Sequence, residues 1–97
     1  MAKESQERGQ YLEAFLEMLS AERGAARNTL DAYERDLKDF SAFLNARSKS
    51  ETAAATKDIR DYLENLAAQG LSASTAARRL SAIRQFHGFL FAEGIRS

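Results

Sequence analysis

Leu30, Tyr33, Leu37, Phe40 and Leu44 recur at steps of three and four residues. Residues at that spacing share one face of a helix, whereas a strand would scatter them over both of its faces. The stripe therefore commits this segment to an amphipathic helix whose apolar side needs a partner. Nothing breaks helices elsewhere either, because the 97 residues contain no proline and only five glycines.

Partners are supplied by three further segments of the same kind. Leu12, Phe15, Leu16 and Leu19 form a stripe that stops near Gly24. Asn28 or Thr29 is expected to cap the second helix. Thr56 is the expected cap of a short third helix bearing Ile59, Tyr62, Leu63 and Leu66, which Gly70 closes as a left-handed residue. Ser72 caps a fourth helix that places Ala76, Leu80, Ile83, His87 and Leu90 inward and ends at Gly94. The expected helices cover about 10–22, 28–46, 57–69 and 73–93, with a flexible segment at 1–9 and a polar linker over 47–55. One domain over 1–97, all-α and folded as a compact four-helix bundle, is the expected architecture.

Composition removes several chemistries. Zero cysteines exclude disulfides, thiolate catalysis and Cys-ligated metal, and a single histidine leaves no His-rich metal or acid–base site. His87 lies on the core stripe and reads as a packed residue, and Tyr11, Tyr33 and Tyr62 read as core residues whose hydroxyls reach the rim. No glycine-rich phosphate loop is present. A binding module that needs no cofactor fits this residue set better than an enzyme. No run reaches membrane-span length and the polar start at Met1 lacks the apolar stretch of a signal peptide, so the expected location is cytoplasmic with no membrane partner.

Fourteen basic residues balance fourteen acidic ones, so only their distribution carries information. After Glu64 no acid occurs until Glu93, yet Arg78, Arg79 and Arg84 fall within the fourth helix. Arg78 has only Ser74, Thr75, Ser81 and Ala82 at the spacings where a helical salt bridge would sit, so these arginines are expected to be free for an outside partner. Ser74, Arg78, Ser81, Gln85 and Phe89 project opposite the core stripe, with Arg79 and Arg84 on its flanks. Arginine, amide and hydroxyl side chains on one strip suit phosphate oxygens and base edges of DNA, although a solvated face is the plain alternative. Phe89 is expected to be exposed on this helix and to cover a neighbouring segment or domain rather than a base. On the second helix, Arg27, Asn28 and Thr29 lie where N-terminal amides favour a phosphate. Arg35 and Lys38 point outward, but Asp31 to Arg35 and Glu34 to Lys38 are equally acid-first pairs of a solvated face.

The run Asn28-Thr29-Leu30-Asp31-Ala32-Tyr33-Glu34-Arg35-Asp36-Leu37-Lys38-Asp39-Phe40, followed by Phe43-Leu44, resembles the second helix of the N-terminal core-binding (SAM-like) domain of tyrosine recombinases. Asp58-Ile59-Arg60-Asp61-Tyr62-Leu63 resembles the third helix of that family. Gly70-Leu71-Ser72, Thr75, Arg78 to Arg84, Phe86, Phe89-Leu90 and Glu93-Gly94 resemble the fourth. The similarity covers roughly Tyr11 to Ile95 and is closest to the bacterial Xer subgroup, which resolves chromosome dimers; phage and integron integrases share the domain.

That resemblance implies a domain that grips double-stranded DNA with its second and fourth helices while a larger catalytic domain of the same parent protein cleaves and rejoins strands. By position it assigns DNA contacts to Thr29, Ala32 and Arg35 and to Ser74, Arg78 and Ala82. The family's catalytic residues are implied to lie in the following domain, so this chain alone would not cleave DNA and would be an excised domain ending at Ser97. Phe89 and the first helix become candidate contacts to the catalytic domain or to other recombinase protomers in a synaptic tetramer. A helical protein-interaction module with solvated arginines is the rival reading.

Overall fold

A computed structural model describes residues 2–96, with side chains from Tyr11 onward. Its elements are α1 (Ala2–Arg23), α2 (Arg27–Ala46), α3 (Thr56–Ala68) and α4 (Ala73–Ala92). The first helix begins well before the expected start near residue 10, while the flexibility expected of 1–9 lies outside what is described.

Helix α4 is the hub, packing against α1, α2 and α3, and α2 also touches α1 and α3. The core is drawn from all four helices: Leu12, Phe15 and Leu19 of α1, Leu37, Phe40 and Leu44 of α2, Tyr62 and Leu66 of α3, and Ala82, Ile83, Phe86 and Leu90 of α4. Each fully buried large apolar side chain contributes about 1.5–3 kcal/mol relative to exposure. Aromatic rings meet in tilted pairs at the centre, with Phe15 5.3 Å from Phe86 and Phe40 4.9 Å from Tyr62 between centroids.

On α4 the buried stripe is rotated from the expected one toward Ala82 and Phe86, leaving Ala76, Leu80 and His87 half-buried. The reason is α1, which covers the Phe89 side of the helix. Phe89 consequently packs against Phe15, with centroids 5.6 Å apart: it is not the exposed aromatic expected of it, and what it covers is a neighbouring segment of this chain, α1. Phe91, 67% exposed, takes that place. Ala82 is completely buried, so the DNA contact implied for its side chain does not fit the fold.

Helix ends follow backbone chemistry. Gly70 has φ of +83°, its N–H bonds to the Ala67 carbonyl at 3.0 Å and the Leu71 N–H to that of Leu66 at 3.1 Å, a Schellman ending that folds Leu71 back onto the core. The Ser72 hydroxyl accepts the Thr75 N–H at 3.2 Å, as expected of a cap. Two other expected caps are displaced. Ala26 occupies the cap position of α2 and offers no side-chain bond, because helical geometry already begins at Arg27, ahead of Asn28 and Thr29. Ala55 occupies that of α3, where Thr56 is already helical and the Asp58 carboxylate reaches back to accept the Ala55 N–H at 2.8 Å.

The 47–55 linker is anchored rather than merely polar. Glu51 is 2% exposed, accepts the Ser41 hydroxyl at 2.9 Å and lies 3.0 Å from His87 Nε2. Arg96 donates to the backbone carbonyls of Glu51, at 2.6 Å, and Ala54. The chain leaving α4 is thereby tied to the linker between α2 and α3, and His87 is a packed residue with a polar partner.

Candidate functional site

Helices α2 and α4 meet along a charged seam, and the seam overturns the reading of Arg78 and Arg79 as unpaired. Asp36, 1% exposed, takes Arg78 in a two-point grip: Nε donates to Oδ2 and Nη2 to Oδ1, both at 2.9 Å. Hydrogen bonds to this carboxylate push the Arg78 guanidinium above its ordinary value. Arg79 lies deeper, with 16% of its side chain exposed. Its Nη1 donates to Asp39 Oδ2 at 2.7 Å and to the Tyr62 hydroxyl at 3.0 Å, and the Tyr62 hydroxyl donates to the same Asp39 oxygen at 2.6 Å. Burial opposes the charge of Arg79, but Tyr62, Asp39 and Asp36 outweigh it and its value is raised. Tyr62 is also raised, by burial first and by the Asp39 carboxylate second.

Arg79 Nε comes within 3.4 Å of Asp36 Oδ1 without alignment and, among the described residues, is the buried side-chain nitrogen or oxygen that makes no hydrogen bond. Two arginines from one turn of α4 are thus braced by two acids from one turn of α2. Intrahelical spacing could not disclose this, since Arg78 and Asp36 lie 42 residues apart. A signal existed nonetheless: Asp36 has Ala32, Tyr33, Asp39 and Phe40 at its own helical spacings, so α2 carries an acid without a local base.

The other sequence-derived candidates divide into committed and open side chains. Gln85 is committed, its amide donating to the Tyr33 hydroxyl at 3.0 Å and to Ser81 Oγ at 3.1 Å while its oxygen accepts Arg23 at 3.3 Å. Ser74 and Thr75 are exposed and half-buried respectively, and both touch the Ser72 hydroxyl, at 3.1 and 3.0 Å. Arg27, Asn28, Thr29, Arg35 and Arg84 are exposed. Glu34 and Lys38 form their pair at 3.3 Å, but the Asp31 to Arg35 pair does not form. Arg27 and Arg35 on α2 and Arg84 on α4 are therefore exposed cations with no carboxylate partner among the described residues.

On the far side of α4, a groove of about 760 Å³ runs between α1 and α4. Ala14, Met18, Ala21, Gly88, Phe89 and Ala92 line it, with Glu17, Glu22 and Glu93 beside them. No described helix is long and apolar enough to cross a membrane.

Residues 12–94 match the family model described as "Phage integrase, N-terminal SAM-like domain". The chain is 61% identical over 87 residues to tyrosine recombinase XerD of Rhizobium meliloti, 58% over 88 residues to that of Agrobacterium fabrum and 48% over 87 residues to that of Caulobacter vibrioides. These alignments take in 90%, 91% and 90% of this chain but 28%, 27% and 28% of the relatives, so the chain spans little more than a quarter of their length. No solved structure gives a significant match. An all-α bundle with this helix order, matched over nearly its whole length, belongs to the N-terminal SAM-like domain family of phage integrases, and its relatives are XerD tyrosine recombinases.

Proposed function

We propose that this domain grips duplex DNA through α2 and α4, and lends affinity and orientation to a Xer-type tyrosine recombinase whose strand-cleaving residues lie elsewhere in the parent protein. The carrying observation is the set of exposed arginines on these two helices: Arg27, Arg35 and Arg84, which have no carboxylate partner among the described residues, and Arg78 held at the surface. Unpaired guanidinium groups are strong donors to phosphate, and neutralising phosphates supplies most of the affinity of DNA-binding domains. Asn28 and Thr29 beside Arg27, and Ser74 and Thr75 at the start of α4, add hydroxyl, amide and backbone donors for phosphate oxygens.

The groove between α1 and α4 faces a different task in this reading. Its apolar floor suits contact with the catalytic domain or with other protomers of a synaptic tetramer, with Phe89 as a wall of that surface. Chromosome-dimer resolution in the cytoplasm is the cellular role that this assembly would serve.

Titrating a short duplex into the isotopically labelled domain and following its amide resonances tests the DNA surface. Shifts should concentrate on the first turns of α2 and α4 and around Arg35, Arg78 and Arg84. Shifts confined to the α1–α4 groove would overturn the assignment.

A further inference from the structure

The Asp36 to Arg78 contact leaves one edge of the guanidinium open. Nε and one Nη2 hydrogen are used by the carboxylate, and a guanidinium carries five N–H groups, so Nη1 and the remaining Nη2 hydrogen point away from Asp36. Burial divides the pair the same way: Asp36 is 1% exposed and the Arg78 side chain 44%. The carboxylate is an interior support and the guanidinium end is at the surface.

The geometry points to Asp36 as a positioning residue that holds Arg78 in one rotamer, so that its Nη1/Nη2 edge meets a pair of acceptor atoms on DNA. This inference rests on the proposed DNA binding. Two parallel N–H bonds fit either two phosphate oxygens or O6 and N7 of guanine, which present the same paired-acceptor chemistry. An arginine already held in place loses little rotamer freedom on binding, whereas a free one must be ordered at that moment. Arg79, enclosed by Asp39 and Tyr62, braces the support from inside and does not reach the ligand.

The sign of one substitution separates positioning from simple electrostatics. Removing a carboxylate beside polyanionic DNA should tighten binding if charge alone counts. Positioning requires the opposite. Fluorescence anisotropy on a short mixed-sequence duplex, with folding of each variant checked by circular dichroism, reads the difference. Asp36→Asn should bind about five- to tenfold more weakly than the unsubstituted domain, and Arg78→Lys, which keeps the charge but loses the fork, about tenfold more weakly. The double variant should bind no more weakly than Arg78→Lys, because the two residues act as one unit. Should Asp36→Asn not fold, Asp36→Glu, whose longer arm misplaces the fork, carries the same expected loss.

A folded Asp36 variant that binds as tightly as the unsubstituted domain or tighter would overturn the positioning role, and an unaffected Arg78→Lys would overturn the paired edge. Absence of duplex binding by the unsubstituted domain would instead overturn the DNA reading and the inference with it. Repeating the comparison on duplexes containing 7-deazaguanine, which lacks N7, identifies the acceptor. Loss of the Arg78→Lys penalty there assigns the edge to guanine, and persistence assigns it to phosphate; both support the held edge.

Discussion

Asp36 and Arg78 join α2 to α4 through two parallel hydrogen bonds of 2.9 Å, with the carboxylate sealed inside the bundle and the guanidinium at its surface. Removing one member of a buried pair leaves the other uncompensated, which costs about 3–5 kcal/mol. Because Arg78 is 44% exposed and water can solvate it, the lower end applies. Asp36→Ala should therefore destabilise the domain by about 3 kcal/mol in urea denaturation. A loss below about 1 kcal/mol would mean the pair behaves as a surface contact.

Tyr62 couples the same seam to alkaline pH. Its folded value is raised above the ordinary value of 10.0, so the folded state keeps the phenol proton after the unfolded chain has released it. The associated stability is fully present below about pH 10 and declines as pH rises above it. Tyr62→Phe should flatten that alkaline decline while costing about 1–2 kcal/mol at neutral pH through loss of the bonds with Asp39 and Arg79. Denaturation midpoints between pH 8 and 11 measure both effects, and an equally steep decline in the variant would assign it to another group.

Asp58 works at the other end of the scale. Its bond from the Ala55 N–H, together with Lys49 and Arg47 and despite burial, lowers the carboxyl below the ordinary value of 3.8. The folded state thus binds this proton more weakly than the unfolded chain. Stability from Asp58 is present above about pH 4 and disappears as pH falls through the lowered value. Asp58→Asn should lower stability at pH 7 and make it less sensitive to acid below pH 4, as read from denaturation midpoints at the two pH values. An undiminished acid response would exclude Asp58 as its source.

Ser48 holds a left-handed conformation, φ +59°, where α2 ends: its N–H bonds to the Asn45 carbonyl at 3.0 Å and the Lys49 N–H to that of Leu44 at 2.8 Å. A side chain in that region costs about 1–2 kcal/mol, and glycine avoids it at an entropic cost of about 0.5–1 kcal/mol. Ser48→Gly should stabilise the domain by about 0.5 kcal/mol in thermal or urea denaturation. Destabilisation would show that the serine side chain itself supports the turn.

The α2 stripe was legible because periodicity is a local property: Leu37, Phe40 and Leu44 are spaced as one face and are completely buried. Gly70 and Ser72 were legible for the same reason, since turn and cap chemistry act within a few residues. Arg78 and Arg79 were found as a pair without local acids, but their partners belong to another helix and only packing brings Asp36 and Asp39 to them. The burial of Phe89 is not legible from α4 alone, because one helix does not disclose where its neighbour lies, and α1 covers the face opposite the expected core stripe. Glu51 gave no signal in a polar linker; its burial follows from Ser41, His87 and the returning Arg96, none of them nearby in sequence.

Whether α2 and α4 hold DNA through their open arginines is tested most directly by salt dependence. Phosphate contacts by Arg27, Arg35, Arg84 and the free edge of Arg78 should give a slope of log affinity against log salt of roughly −3 to −4 on a short duplex. Replacing Arg35 and Arg84 by alanine should shrink its magnitude by about 1.8. Duplex binding that is absent at low salt, or whose slope survives the double substitution unchanged, would contradict the claim.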